Sequence, residues 1–165
     1  MPDQSLPGLV VRPAMARWWL EQGEGEAVRV HAEAGVVWHG LVMAMAARGL
    51  WGGENLALIA APIQNIGAYG VELCEVLEAV QVVSVADGSE RWMTPGECDF
   101  AYRDSIFKGA LDGRVVITRL VLRLSRRGEA RLGYGDLAAR LGQRPTPLEV
   151  AEAVCAVRRE KLPDP

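Results

Sequence analysis

Alternation of apolar and polar residues predicts most of a β-sheet in this chain. Residues 27–34 alternate cleanly, with Val28 and Val30 on one side, which is the two-residue period of a half-buried strand. Residues 115–124 form a longer apolar run that predicts a buried strand. Further strands are expected at 9–12, at 14–21 (a strand or an edge hairpin), and at 76–86 and 90–93, paired across the turn dipeptide Asp87-Gly88.

The hydrophobic period becomes helical elsewhere. Apolar residues in 37–48 recur three and four positions apart, which predicts an amphipathic helix ended by Gly49. Capping-box signals occur at 94–97 and at 146–149, and the second predicts a helix running to about Glu160. A shorter helical segment is expected at 54–59. The inner face of the last helix is expected to consist of Leu148, Ala151, Val154 and Cys155. These elements predict an α+β fold, an antiparallel sheet with helices on one side.

Composition and charge narrow the class of protein. The chain has 165 residues, half of them hydrophobic, which suits one folded domain with a proper core. The net charge of −3 argues against a nucleic-acid partner, because nucleic-acid binders usually carry a basic face. No signal peptide and no apolar run long enough to cross a membrane are apparent. We therefore expect a soluble cytoplasmic protein without a membrane partner, and the sequence does not specify an oligomeric state.

The cysteines point to neither a metal site nor a disulfide framework. Cys74, Cys98 and Cys155 are widely spaced and odd in number. No CxxC motif or Cys/His cluster accompanies them, so zinc binding is not suggested. Reduced thiols and the absence of a metal are the expectation.

The segment 97–108, ECDFAYRDSIFK, contains the strongest candidate for chemistry. Arg103 lies between two aromatic residues, Phe100 and Phe107. A guanidinium held between apolar anchors is a preorganised clamp for a carboxylate or an enolate. The alternative is a surface ion pair of Arg103 with Asp104, since most neighbouring charges are solvated.

A second candidate is the glycine-rich segment, residues 62–70. Gly67 and Gly70 would let backbone amides approach a phosphate or the edge of a flavin ring. Gln64 and Asn65 add side-chain donors and acceptors, and Tyr69 could stack on a sugar or donate to a diphosphate. The alternative is an ordinary glycine-rich turn.

Four strings occur in the order 62–73 (PIQNIGAYGVEL), 97–108, 134–137 (YGDL) and 161–165 (KLPDP). In this order they resemble the UDP-N-acetylenolpyruvoylglucosamine reductase family, in the variant whose tyrosine-bearing loop closes over the substrate. The resemblance implies the family's larger FAD-binding domain, of the PCMH type. It also implies NADPH-dependent reduction, through FAD, of UDP-N-acetylglucosamine enolpyruvate to UDP-N-acetylmuramate for peptidoglycan.

The same resemblance assigns roles to individual residues. Arg103 is implied to be catalytic, polarising the enolpyruvyl carboxylate. The implied substrate-binding residues are Tyr69, Tyr134 and Lys161. The implied cofactor-binding residues are Gln64, Asn65, Gly67, Ala68, Ile117 and Arg158. Lys161 could instead be a solvated lysine at a helix C-terminus, and Ile117 and Arg158 could be structural.

Departures from the family pattern limit what is expected of this chain. The resemblance covers 8–162 as a partial FAD-binding domain, without the family's N-terminal flavin lobe and C-terminal substrate domain. A Pro-Gly-x-Val-Gly turn is missing after Ile59, as are the proton-donating serine and the glutamate that pairs with the catalytic arginine. We therefore expect weakened FAD binding. A non-catalytic remnant, or a small flavin- or nucleotide-sugar-binding module, is the alternative function.

Overall fold

The computed structural model of the chain describes residues 13–58, 62–65, 67–134 and 136–161. The strand predicted at 9–12 lies outside the described residues. The expected α+β architecture is confirmed, because the described residues contain one antiparallel sheet and its packed helices.

Five strands form the sheet in the spatial order β1-β2-β5-β3-β4. They are β1 (Trp18–Gln22), β2 (Ala27–Glu33), β3 (Leu77–Ser84), β4 (Glu90–Met93) and β5 (Val115–Ser125). Two hairpins, β1–β2 and β3–β4, are joined into one sheet because β5 inserts between β2 and β3. The strand expected at 14–21 begins only at Trp18.

One face of the sheet carries the core, as the alternation predicts. Val28 and Val30 are almost completely buried, and their partners across the sheet, Leu124 and Leu122, are buried with them. A β-bulge interrupts this regularity in β5. Gln81 of β3 pairs with Arg119 and the next residue, Val82, pairs with Ile117, so Thr118 is the extra residue. The bulge places Ile117 on the buried face beside Val82.

Helices cover the buried face of the sheet. They are α1 (Trp38–Ala46), α2 (Leu137–Arg140) and α3 (Pro147–Lys161). Leu41 and Met45 of α1 pack into the sheet core, whereas Val42 of the same helix packs toward α3. The buried residues around α3, which we call the α3 cluster, are Val42, Ala57, Leu137, Val154, Cys155 and Val157. Helix α1 thus lies between the sheet and α3.

The capping signals in the sequence predict the start of α3 correctly, but the signal at 94–97 opens only a short turn. At the start of α3, the Thr146 amide and hydroxyl both donate to the Glu149 carboxylate, at 2.7 and 2.8 Å, so this capping box is confirmed. The box at 94–97 also forms but opens only the short 3₁₀ turn Gly96–Cys98, since Asp99 takes a left-handed φ of 47°. The segment expected at 54–59 forms the 3₁₀ turn Glu54–Leu56.

The predicted inner face of α3 is mostly correct. Ala151, Val154 and Cys155 are buried, but Leu148 is half-buried and Val150 takes its place in the interior. The helix periodicity admits either residue at the first turn, and tertiary packing decides between them. No helix within the described ranges combines the length and the apolar character needed to cross a membrane.

Candidate functional site

A tight turn at residues 68–71, the tyrosine turn, presents Tyr69. Ala68 and Val71 exchange both backbone hydrogen bonds, at 2.8 and 3.1 Å. The two central residues, Tyr69 and Gly70, have φ angles of 51° and 79°. Two positive φ angles in succession are the pattern of a type I′ turn, which glycine enters without steric cost.

A second tight turn at residues 101–104, the arginine turn, presents Arg103. Ala101 and Asp104 exchange two backbone hydrogen bonds of 3.1 Å, and Arg103 has a φ of 54°. One positive φ at the third position is the pattern of a type II turn, where glycine or asparagine is preferred. Arg103 therefore occupies a conformation that bulky residues rarely adopt.

The two turns and α3 together enclose an open cavity of about 600 Å³, the tyrosine cavity. Seven of the ten predicted site residues line it. They are Gly67, Ala68, Tyr69, Arg103, Tyr134, Arg158 and Lys161. The tertiary structure thus brings residues of all four sequence strings to one surface.

Tyr69 and Tyr134, on this cavity, contact each other edge to face. Their ring centroids are 5.8 Å apart, with an angle of 89° between the ring planes. Tyr69 is half-buried against the α3 cluster, whereas Tyr134 is 63% exposed. Burial raises the pKa of the Tyr69 hydroxyl, and the positive charge of Arg158 partly offsets this effect. Tyr69 therefore stays a neutral hydrogen-bond donor at neutral pH.

The charge of the tyrosine cavity is effectively positive. Its cations are Arg103, Arg158 and Lys161. Its two carboxylates have partners inside the protein. The carboxylate of Glu75 accepts from Arg131 and from the backbone amide of Glu72, and that of Glu72 accepts from Asn65. The cavity can therefore attract an anion without first breaking an ion pair to its own carboxylates.

Among the described residues, Arg103 is exposed and forms no ion pair with Asp104, so the alternative drawn from the sequence does not form. The Asp104 carboxylate instead lies 4.0 Å from Lys108 and accepts the Ser105 amide. The guanidinium carbon of Arg103 lies 5.6 Å from the ring centroid of Tyr102. Tyr102, which sequence reasoning missed as a lining residue, thus steadies Arg103 by a cation–π contact.

Arg158 carries an unused donor. Its Nε is buried and has no hydrogen-bond partner among the described residues. A buried donor without a partner is costly, so a ligand oxygen at this point would be favourable.

Gln64 and Ile117 line a different cavity of about 370 Å³, the apolar cavity. Trp38 and Phe107 contribute its aromatic walls. The indole N–H of Trp38 donates to the Leu56 carbonyl at 2.8 Å, which fixes the ring. The sequence did not indicate that Trp38 and Phe107 line a cavity, because an apolar residue beside a cavity has the same sequence pattern as an apolar residue in the core. The glycine-rich segment contributes to both cavities, with Gln64 in one and Gly67 to Gly70 in the other.

Two residues of the glycine-rich segment have roles that the sequence did not indicate. A Cβ atom at Gly67 would lie 3.0 Å from the Glu72 Cγ and 3.0 Å from the Val71 carbonyl oxygen, so this glycine makes room for neighbouring atoms of the protein itself. Asn65 is only 2% exposed, and its amide group bonds within the protein. A cofactor contact through the Asn65 side chain stays a prediction. No cluster of side chains suited to a metal ion occurs in the described part of the chain.

Comparison with known proteins yields related reductases. The chain is 47% identical to the UDP-N-acetylenolpyruvoylglucosamine reductase of Chromobacterium violaceum, over 96% of this chain and 50% of that protein. The reductase of Pseudomonas aeruginosa is 43% identical over 98% of this chain and 50% of its own length. The chain spans about half the length of these curated relatives.

Structural comparison agrees with the sequence comparison. The crystal structure of the UDP-N-acetylenolpyruvylglucosamine reductase of Thermus caldophilus matches with a TM-score of 0.56 and 28% identity, over 81% of this chain and 44% of that one. The resemblance drawn from the four strings is thereby confirmed. A family model described as "FAD binding domain" matches residues 3–94, more than half of the chain. The chain therefore belongs to the FAD binding domain family.

Proposed function

We propose that this chain serves in the NADPH-dependent reduction of UDP-N-acetylglucosamine enolpyruvate to UDP-N-acetylmuramate, with FAD as cofactor, in peptidoglycan precursor synthesis. The observation that carries the proposal is the tyrosine cavity. Three tyrosines and three cations converge there, while both carboxylates of the cavity have hydrogen-bond partners in the protein. The names of the relatives support the same substrate.

The charges of the cavity suit those of the proposed substrate. A UDP-sugar brings a diphosphate, and its enolpyruvyl group adds a carboxylate. Arg158 and Lys161, near the end of α3, would bind the diphosphate, and Arg103 would bind the carboxylate. Arginine suits this role because its charge persists at any working pH and its planar fork matches a carboxylate. A preorganised guanidinium can contribute about 3 kcal/mol to stabilising negative charge that develops in a transition state.

The tyrosines would orient the sugar. An edge-to-face pair holds Tyr69 in one rotamer, and its neutral hydroxyl is a donor to a ligand oxygen. Tyr134 is the more exposed of the two, so it can cover a ligand that has entered and exclude water from the arginine turn.

The apolar cavity suits the flat ring system of a flavin. A volume of about 370 Å³ with aromatic walls is in the range of small-ligand pockets. Gln64 and Ile117 would contact the ring. The chemistry that FAD supplies in such a site is transfer of a hydride equivalent from NADPH to the carbon–carbon double bond. The sequence contains no glycine fingerprint of a separate dinucleotide-binding site, so NADPH would enter the cleft that also binds the UDP-sugar.

A cytoplasmic location is part of this proposal. All three cysteines are free thiols, as expected in a reducing compartment.

The experiment is a calorimetric titration of the chain with UDP-N-acetylglucosamine. Arg158→Met and Lys161→Met should each weaken binding about tenfold, the loss of one charge-assisted contact. The matched control is Arg159→Met. Arg159 is an exposed residue of the same charge on α3 that does not line the cavity. Equal losses in all three variants, or no binding by the parent chain, would exclude this cavity as the UDP-sugar site.

A second candidate is a binding module without turnover. The cations and tyrosines of the tyrosine cavity favour it, because they would bind a nucleotide sugar without any reaction. Substrate-dependent loss of NADPH absorbance, measured with added FAD, separates the two. Turnover supports the reductase, and binding without turnover supports the module.

A further inference from the structure

Asn65 is the most completely bonded polar side chain near the tyrosine cavity. It is 2% exposed and lies on the glycine-rich segment, four residues before Tyr69. Its Nδ2 donates to the Glu72 carboxylate at 2.8 Å and to the Ala101 carbonyl at 3.1 Å. Its Oδ1 accepts the Cys74 amide at 3.0 Å. Both amide donors are therefore used, and the amide oxygen accepts one bond from the protein.

These bonds join three segments that are separate in the sequence. The Cys74 amide belongs to the 3₁₀ turn Leu73–Glu75, and Glu72 caps that turn. The Ala101 carbonyl belongs to the arginine turn, 36 positions away from Asn65 along the chain. Asn65 itself has a φ of 50°, a conformation that asparagine tolerates better than most residues. Both its backbone preference and its amide group therefore suit this position.

The arginine turn needs outside support. Arg103 takes a left-handed backbone conformation at a position that favours glycine, and such strained residues persist only where their surroundings hold them. The Ala101 carbonyl accepts two bonds, one from the Asp104 amide within the turn and one from Asn65 outside it. The Lys108 ammonium donates to the Arg103 carbonyl at 3.1 Å, but this contact is exposed to water. Asn65 supplies the buried support.

We propose that Asn65 is a positioning residue. Its hydrogen bond to the Ala101 carbonyl holds the strained arginine turn against the glycine-rich segment. This bond thereby fixes the position of Arg103 relative to Tyr69. What Arg103 then binds rests on the proposed function, but the positioning itself is a property of the chain without ligand.

Native-state amide exchange tests the positioning without any ligand. Two variants are informative. Asn65→Gly keeps the left-handed backbone and removes all three side-chain bonds. Asn65→Asp keeps the size and the acceptor for the Cys74 amide, but it replaces both donors by a carboxylate oxygen beside the Glu72 carboxylate. We expect the Ala101 and Asp104 amides, which are bonded to each other's carbonyls, to exchange about tenfold faster in both variants. The Cys74 amide should lose protection only in Asn65→Gly.

Two internal controls separate positioning from a general loss of stability. The Ala68 and Val71 amides report on the tyrosine turn, and the Val30 amide reports on the sheet core. If Asn65 supported only the glycine-rich segment, the Ala68 and Val71 amides would exchange faster in the variants, while exchange at Ala101 and Asp104 would not change. Global destabilisation would speed exchange at Val30 as much as at Ala101. Either result would overturn the proposal.

A ligand readout completes the test. Asn65→Gly, which adds no charge, should weaken binding of the enolpyruvyl UDP-sugar about tenfold while changing the affinity for UDP less than twofold, because only the carboxylate contact depends on Arg103. Equal losses for both ligands would overturn the positioning role. If the parent chain binds neither ligand, the proposed function fails, and the exchange result still decides whether Asn65 holds the arginine turn.

Discussion

At the residue scale, Arg103 is held in backbone strain by the same turn that presents its guanidinium. Its φ of 54° is unfavourable for a residue with a side chain. We expect Arg103→Gly to be about 1 kcal/mol more stable than Arg103→Ala, since both lose the guanidinium but only glycine accepts this backbone freely. Urea unfolding of the two variants measures the difference. An alanine variant as stable as the glycine variant would show that the turn is not strained.

Glu54 provides a prediction on pH. It is buried, and burial raises the pKa of its carboxyl above the ordinary value of 4.5, although backbone hydrogen bonds, among them one from Gly52, oppose the shift. The neutral form is therefore favoured in the folded protein. Glu54 therefore contributes stability at pH values below the pKa that its carboxyl has in the unfolded chain. This contribution is lost as the pH rises through the pKa that the carboxyl has in the folded protein.

Glu54→Gln removes this titration and keeps an oxygen that can accept the Gly52 amide. We expect the variant to be more stable than the parent at about pH 8 and close to it at about pH 4. Urea midpoints at the two pH values measure the effect. A variant less stable than the parent at the higher pH would mean that the carboxylate is stabilised in its ionised form.

At the element scale, α2 and α3 are held by the α3 cluster, and this packing places Arg158 and Lys161 at the tyrosine cavity. Leu137 of α2 is completely buried in this cluster. Leu137→Ala should destabilise the chain by about 2–5 kcal/mol. The matched control is Leu20→Ala on the edge strand β1, where the side chain is 39% exposed and the expected loss is within about 0.5 kcal/mol. Similar losses for the two leucines would contradict the packing described here.

Regular periodicity made the strands and the two main helices predictable. The alternation around Val28 and Val30 and the helical period of 37–48 each reflect burial on one side, and burial follows the sheet and helix geometry directly. The bulge at Thr118, which places Ile117 at the apolar cavity, leaves no such signal, because it depends on the register between β3 and β5. The burial of Val150 in place of Leu148 depends in the same way on tertiary packing.

The site was predictable to a different degree. The strings around Tyr69 and Arg103 pointed to ligand contacts, and the fold brings them to one cavity. The roles of Asn65 and Gly67 were not predictable from spacing. Their partners, Ala101 and Glu72, come from tertiary contacts and from a close approach that only the folded chain makes.

At the scale of the whole molecule, two cavities of different character share one segment. The apolar cavity suits a ring system and the tyrosine cavity suits an anion, and the glycine-rich segment contributes to the lining of both. This arrangement would hold a flavin and a nucleotide sugar at adjacent positions, as a reductase of this kind requires. The chain spans about half the length of its curated relatives. Ligand binding and turnover therefore have to be measured on this chain itself.

The most direct measurement compares two ligands in a calorimetric titration, UDP-N-acetylglucosamine with and without its enolpyruvyl group. A charge-assisted contact from Arg103 to the carboxylate predicts that the enolpyruvyl form binds at least about tenfold more tightly to the parent chain. Arg103→Leu should abolish this preference, and the exposed control Arg114→Leu, away from the cavity, should keep it. Equal affinities for the parent chain, or a preference that survives in Arg103→Leu, would contradict the assignment of Arg103 and of the tyrosine cavity.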